Sequence, residues 1–217
     1  MKIIFRALCF AAVISGAWYF SCAFPARAQP VAPVAPATAG SQIYLLRGLF
    51  GIFSLGLDKL SVRLKEQGYE PRVIGWEQWP LAANEIIAGH RRGDAGPIIL
   101  IGHSLGSDSI IQIAANIRQA NIPVDLVVTF DSTQPLVVPD NVVRFINFFQ
   151  RNGFGRPATP GPGFQGELNN IDLSADRSLD HVKIDEADRL QAIVIEKILE
   201  ITDQQSQILA RRRVRTQ

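Results

Sequence analysis

A serine, an aspartate and a histidine occur in this chain in the order and setting that acyl-transfer chemistry requires. Ser104 lies at the centre of Gly102-His103-Ser104-Leu105-Gly106, which fits the pattern G-x-S-x-G. The pattern follows the most strand-like run of the chain, Ile98-Ile99-Leu100-Ile101, and opens a helix-like one. In that setting it means a sharp turn presenting a nucleophile. Glycines flank the serine because side chains there would collide with the neighbouring strand and helix. The turn also aims the free N–H groups of the helix start at the serine. A bare serine hydroxyl has too high a pKa to attack an ester, so it needs a base within hydrogen-bond reach.

The chain holds three histidines. His103, inside the motif, is expected to point away from the serine and pack. His90 ends a helix-like stretch and reads as a solvated C-terminal residue. His181, late in the chain and just before the last helix, is the expected base, in the order serine, acid, histidine. For the acid, Asp131 ends the run Val127-Val128-Thr129-Phe130. It would hold the imidazole tautomer without taking the proton. Asp172, Asp176 and Asp180 stand as alternatives. Asp180 adjoins His181, and neighbouring side chains rarely face each other.

Acyl transfer also needs two N–H donors for the developing oxyanion, a contribution of about 3 kcal/mol or more. The expected pair is the amide of Leu105, directly after the serine, and that of Leu49 in Arg47-Gly48-Leu49-Phe50-Gly51. Phe50 and Phe53 mark this loop as apolar and are the expected pocket residues. A glycine-rich strand-to-helix loop packed into the core explains the same pattern.

These residues require a scaffold of alternating elements. Strands are expected at 43–46, 71–75, 97–102, 124–130 and 142–148, with helices at 57–67, 77–89, 104–120 and 185–201. A Gly/Pro-rich loop occupies 152–166. Apolar strands without a two-residue period, alternating with helices, indicate an α/β fold with a mostly parallel sheet covered by helices on both faces. Ligands of such sheets bind at the carboxyl ends of the strands.

The 217 residues suit one domain, expected at 42–204. Lys2 and Arg6, an apolar stretch at 7–20 and Ala26-Arg27-Ala28 have the layout of a signal peptide over 1–28. An uncleaved anchor is the alternative, but the apolar run is shorter than the ~20 residues a spanning helix needs. An exported protein, periplasmic or secreted, follows, with no transmembrane segment after cleavage. A Pro/Ala linker covers 29–41 and a basic tail 205–217. Cleavage removes Cys9 and Cys22, so a thiol nucleophile is excluded. It also takes the 22 basic side chains to 19, against 20 acidic ones, a balance without a nucleic-acid signature. No metal-ligand cluster, phosphate loop or dinucleotide fingerprint occurs, so no cofactor or metal is expected.

Together, GHSLG at 102–106, the late His181 and the ordered aspartate resemble the α/β-hydrolase superfamily, and within it small bacterial lipases, esterases and thioesterase-like members. The resemblance spans about 43–201. It implies Ser104 as nucleophile, His181 as base, Asp131 as acid and the amides of Leu49 and Leu105 as oxyanion hole, with no large cap domain. An acid after the strand next to the nucleophile strand is the thioesterase-type arrangement. Arg47-Gly48 stands where many lipases have His-Gly. The expected activity is hydrolysis of a small-molecule or lipid-like carboxylic ester. A thioesterase, an amidase or a catalytically silent binding scaffold are the alternatives.

Overall fold

The computed structural model describes residues 40–49 and 54–215. The expected signal peptide, nearly all of the 29–41 linker, and Phe50 and Phe53 lie outside the described residues. In chain order the elements are β1 (Gln42–Arg47), α1 (Leu55–Glu66), β2 (Arg72–Gly75), a 3-10 turn (Trp76–Gln78), α2 (Trp79–Arg92), β3 (Ile98–His103), α3 (Leu105–Arg118), β4 (Leu126–Phe130), β5 (Val137–Val138), β6 (Arg144–Phe149), β7 (Thr159–Pro160), β8 (Glu167–Asp172) and α4 (Asp188–Arg215). Six strands form one sheet in the order β2-β1-β3-β4-β6-β8, and every neighbouring pair is parallel. The two-residue strands β5 and β7 pair separately.

The absence of an alternating pattern in the central strands has a direct cause. Ile99 and Ile101 of β3 pack with Leu57, Leu60 and Leu64 of α1 and Leu190, Val194 and Ile198 of α4. Ile98 and Leu100, one residue out of phase, pack with Ala82, Ala83 and Ile86 of α2 and Ile110, Ile113 and Ile117 of α3. Both faces of the sheet are therefore covered, and each fully buried Leu or Ile contributes about 1.5–3 kcal/mol. This is the expected α/β architecture with a parallel sheet and helices on both sides.

Four elements differ from expectation, the short strand β5 at Val137–Val138 among them. β8 reads Glu-Leu-Asn-Asn-Ile-Asp and lies at the sheet edge, mostly exposed, where polar side chains discourage further pairing. Its composition hides it from a search for apolar runs. β7 sits within the Gly/Pro-rich stretch. The last helix continues past Ile201 and past Thr202, where its buried stripe ends, through Ile208, Leu209 and the basic run to Arg215. Gln, Leu, Ala and Arg there are good helix formers and sustain the element. Among the described residues, no helix is long and apolar enough to cross a membrane.

One buried carboxyl group has no hydrogen-bond partner among the described residues. Asp185, between His181 and α4, is fully buried, and neither carboxyl oxygen has a hydrogen-bond partner among the described residues. Its main chain is pressed against α1: a Cβ on Gly56 would lie 2.3 Å from the Asp185 carbonyl carbon. Gln191 Nε2 donates to the carbonyls of both Gly56 and Asp185 at 2.8 Å. Burial pushes the Asp185 carboxyl from 3.8 up to about 7. With the folded value raised, its favourable contribution is complete below about pH 4 and is lost as pH rises through about 7. Asp185→Asn is accordingly expected to gain more stability at pH 8 than at pH 4.5, by on the order of a few kcal/mol. Urea denaturation at the two pH values checks this, and an equal effect at both would contradict it.

Candidate active site

β1 and β3 are neighbours, and the chain leaves them toward opposite sides of the sheet, to β2 and to β4. Such a switch point opens a crevice outside the carboxyl ends of the two strands. Ser104 stands at that crevice, directly after β3 and at the cap of α3. Its backbone has φ 56° and ψ −127°, a conformation L-residues rarely adopt. Its N–H donates to the Phe130 carbonyl at 3.0 Å, extending the β3–β4 ladder by one bond. The flanking glycines are sterically required. A Cβ at Gly106 would lie 1.9 Å from the Leu46 carbonyl oxygen, and one at Gly102 would lie 2.5 Å from the Gly106 carbonyl carbon. α3 thus starts in direct contact with the backbones of β1 and β3. The turn after β1 crosses the serine closely, since a Cβ at Gly48 would meet the Ser104 Cβ at 2.8 Å. Arg47 turns away to pair with Asp58 of α1 (Nε–Oδ2 3.1 Å).

Asp131 reaches the same point through strand register. His103 pairs with Phe130, so the next residues, Ser104 and Asp131, leave adjacent strands side by side. Asp131 also has positive φ, 45°. It is fully buried, and its Oδ1 accepts the amides of Gln150 at 3.1 Å and Gly155 at 3.0 Å. Its Oδ2 faces His181 Nδ1 at 2.7 Å, and His181 Nε2 lies 3.0 Å from Ser104 Oγ. A carboxylate can only accept, so Nδ1 carries the proton and Nε2 is the acceptor for the serine hydroxyl. The alternative acids are engaged elsewhere on the surface: Asp172 with Arg151 and Ser174, Asp176 with Ser178 and Arg189, Asp180 with Lys183.

Residues 152–166, expected as a Gly/Pro-rich loop, supply fixed parts of the site. Thr129, Asn147 and Asn170 lie in register across β4, β6 and β8. Thr129 donates to Asn147 Oδ1 at 2.8 Å, and Asn147 Nδ2 donates to Asn170 Oδ1 at 2.9 Å and to the Arg156 carbonyl at 2.8 Å. Asn170 in turn bonds both the N–H and the carbonyl of Ala158. This polar ladder holds the loop, which brings the Gly155 amide to Asp131 and the Phe154 ring edge-on to His181 at 4.8 Å. No sequence motif marks these asparagines; the signal is their shared register.

A cleft of about 410 Å³ opens over Ser104 and His181. Its wall includes Gly48, Leu49, Leu105, Phe154 and Val182. Leu49, Phe154 and Val182 are 45%, 60% and 41% exposed, so the rim is apolar. Asp108 of α3 anchors another wall residue, Thr133, and accepts the Gln134 amide at 3.3 Å. A larger hollow of about 650 Å³, beside Arg118 and Asp140, contains neither serine nor histidine.

His103 does not merely pack. It is fully buried and uses both ring nitrogens: Nδ1 lies 2.8 Å from Ser54 Oγ, and Nε2 lies 2.7 Å from the His181 carbonyl. Ser54, also fully buried, accepts the Gly48 amide at 2.9 Å and has no motif to announce it. His90, in contrast, is exposed at the end of α2.

No protein-family model and no curated protein matches this chain. The chemistry of the site is therefore read from its geometry.

Desolvation by burial lowers the His103 imidazole from 6.5 to about 4. With the folded value depressed, the unfolded chain takes up this proton first. Its stabilising contribution is present above about pH 6.5 and is lost as pH falls through about 4. In a ¹⁵N-histidine NMR titration, His103 is expected to remain neutral at pH 5.5, where an exposed imidazole is mostly protonated. A His103 ring already protonated at that pH would contradict the buried tautomer.

Proposed function

We propose that the chain is a serine hydrolase of the α/β-hydrolase type, cleaving carboxylic esters through a Ser104 acyl-enzyme. The observation that carries this reading is the unbroken line Asp131 Oδ2 to His181 Nδ1 (2.7 Å) and His181 Nε2 to Ser104 Oγ (3.0 Å) at the switch point. Two of the three positive-φ residues other than glycine among the described residues, Ser104 and Asp131, belong to that line. Backbone strain concentrated at one crevice supports a functional role.

In the first half-reaction Ser104 Oγ attacks the ester carbonyl carbon while His181 Nε2 takes the hydroxyl proton. The charge on the carbonyl oxygen is met by the amides of Leu105, at the start of α3, and Leu49. The C–O bond to the alcohol then breaks, and the alcohol leaves with the proton from His181. Water, deprotonated by the same nitrogen, attacks the acyl-enzyme, and the acid departs as Ser104 regains its proton. Asp131 remains ionised throughout and stabilises the imidazolium. Neither half-reaction calls for a metal or a cofactor.

The apolar rim of Leu49, Phe154 and Val182 favours a substrate with an apolar acyl or alcohol portion. An exported setting, read from residues 1–28, favours an ester over a thioester, because thioester carriers are mostly cytosolic.

Intact-mass labelling with a fluorophosphonate tests the reading. One adduct on Ser104 is expected, abolished in Ser104→Ala and in His181→Ala. Ester turnover should fall by roughly 10³-fold or more in each variant and also in Asp131→Asn. A folded wild-type protein that takes no label would sink the proposal. A second test varies acyl length. Each methylene buried against the rim contributes about 0.8 kcal/mol, or about fourfold in kcat/KM. kcat/KM for p-nitrophenyl esters is expected to climb from acetate to hexanoate, and less steeply in Phe154→Ala. A flat series in the wild type would remove the rim from substrate binding.

A further inference from the structure

We propose that His103 is a positioning residue for this reaction, holding the His181 main chain and the Gly48–Leu49 turn in register around Ser104. The proposal rests on the hydrolase reading above and extends it to His103 and Ser54, which lie outside the Ser104, His181 and Asp131 line.

The hydrogen-bond roles follow without ambiguity. The His181 carbonyl oxygen can only accept, so the His103 nitrogen 2.7 Å from it, Nε2, carries the proton. In the neutral ring Nδ1 is then an acceptor, and the Ser54 hydroxyl at 2.8 Å donates to it. The Ser54 oxygen in turn accepts the Gly48 N–H at 2.9 Å. Three bonds therefore run in one direction, from the Gly48 amide to the His181 carbonyl. They tie together the turn after β1, the end of β3 and the segment carrying the base.

His103 is bonded covalently to Ser104, so β3 fixes its place relative to the nucleophile. His181 is consequently held at two points, its ring by Asp131 and its main chain by His103. The two imidazoles lie 5.0 Å apart. A neutral His103 puts no second positive charge beside the imidazolium that His181 becomes during the reaction. The bond to Ser54 also occupies the Gly48 amide, which assigns the oxyanion role of this turn to the next amide, Leu49.

The test uses the full chain with p-nitrophenyl butyrate for turnover, fluorophosphonate for labelling and circular dichroism for folding. The extent of labelling reports the competent fraction, and its rate reports how well the base and the oxyanion turn are placed. In Ser54→Ala and His103→Phe, kcat and labelling rate are expected to fall by about tenfold or more, with KM and labelling extent nearly unchanged. His103→Gln keeps an amide N–H able to reach the His181 carbonyl and should recover part of the rate lost in His103→Phe.

Rates within about twofold of wild type in folded Ser54→Ala and His103→Phe would overturn the proposal. So would a loss of turnover matched by an equal loss of labelling extent, since that marks a purely structural role. If His103→Phe does not fold, Ser54→Ala and His103→Gln decide the matter by the same two readouts. A wild-type protein without a Ser104 adduct overturns the hydrolase reading and this proposal together. A reactive wild type with unimpaired variants overturns the positioning role alone.

Discussion

The structure turns on the backbone of Ser104, held at φ 56° between β3 and α3. A serine gains nothing locally from this conformation, which costs of order 1–3 kcal/mol. It persists because neighbouring backbone over-determines it. The Leu46 carbonyl fills the space beside Gly106, the start of α3 fills that beside Gly102, and the turn after β1 passes over the serine at Gly48. Those contacts exist because β1 and β3 are paired in parallel and α3 packs against both. A substitution at Gly48, Gly102 or Gly106 would therefore disturb a junction of three elements.

Parallel pairing carries this geometry to Asp131. Because β4 lies beside β3 in fixed register, a residue just past its end must emerge next to Ser104. Asp131 is that residue, and its burial is tolerable because an imidazole and two backbone amides face its oxygens. One of those amides, from Gly155, belongs to a loop that the Thr129-Asn147-Asn170 ladder holds in place. Uncharged polar groups aligned across three strands, Thr129 and Asn147 of them buried, thus keep a buried carboxylate satisfied.

Much of this was legible in the residues. The apolar runs located the six principal parallel-sheet elements except β8, whose edge position requires a polar composition that disguises it. Ser104 and Asp131 were readable because each follows a strand, and His181 because only three histidines were available. The role of His103 was hidden. It shares a phase with Ile99 and Ile101 and so faces the α1 and α4 side. Nothing in the pentapeptide says that the cap of α1 and the segment before α4 meet it there. Phe154 and Gly155 were hidden for a related reason: a Gly/Pro-rich composition describes a loop's conformational freedom and not the contacts that anchor it.

The segment from His181 to α4 also brings two buried titratable groups into play with opposite signs. The His103 imidazole, depressed to about 4, makes folding less favourable as pH falls from about 6.5. Asp185, raised to about 7, makes folding more favourable over nearly the same interval as it takes up its proton. The two groups therefore act in opposite directions between about pH 4 and pH 7. His103 requires burial to remain a neutral relay between Ser54 and the His181 main chain. Asp185 is buried where the segment following His181 is pressed onto Gly56 of α1. Each group thus opposes the other's pH dependence, and removing one leaves the slope of the other unopposed by it.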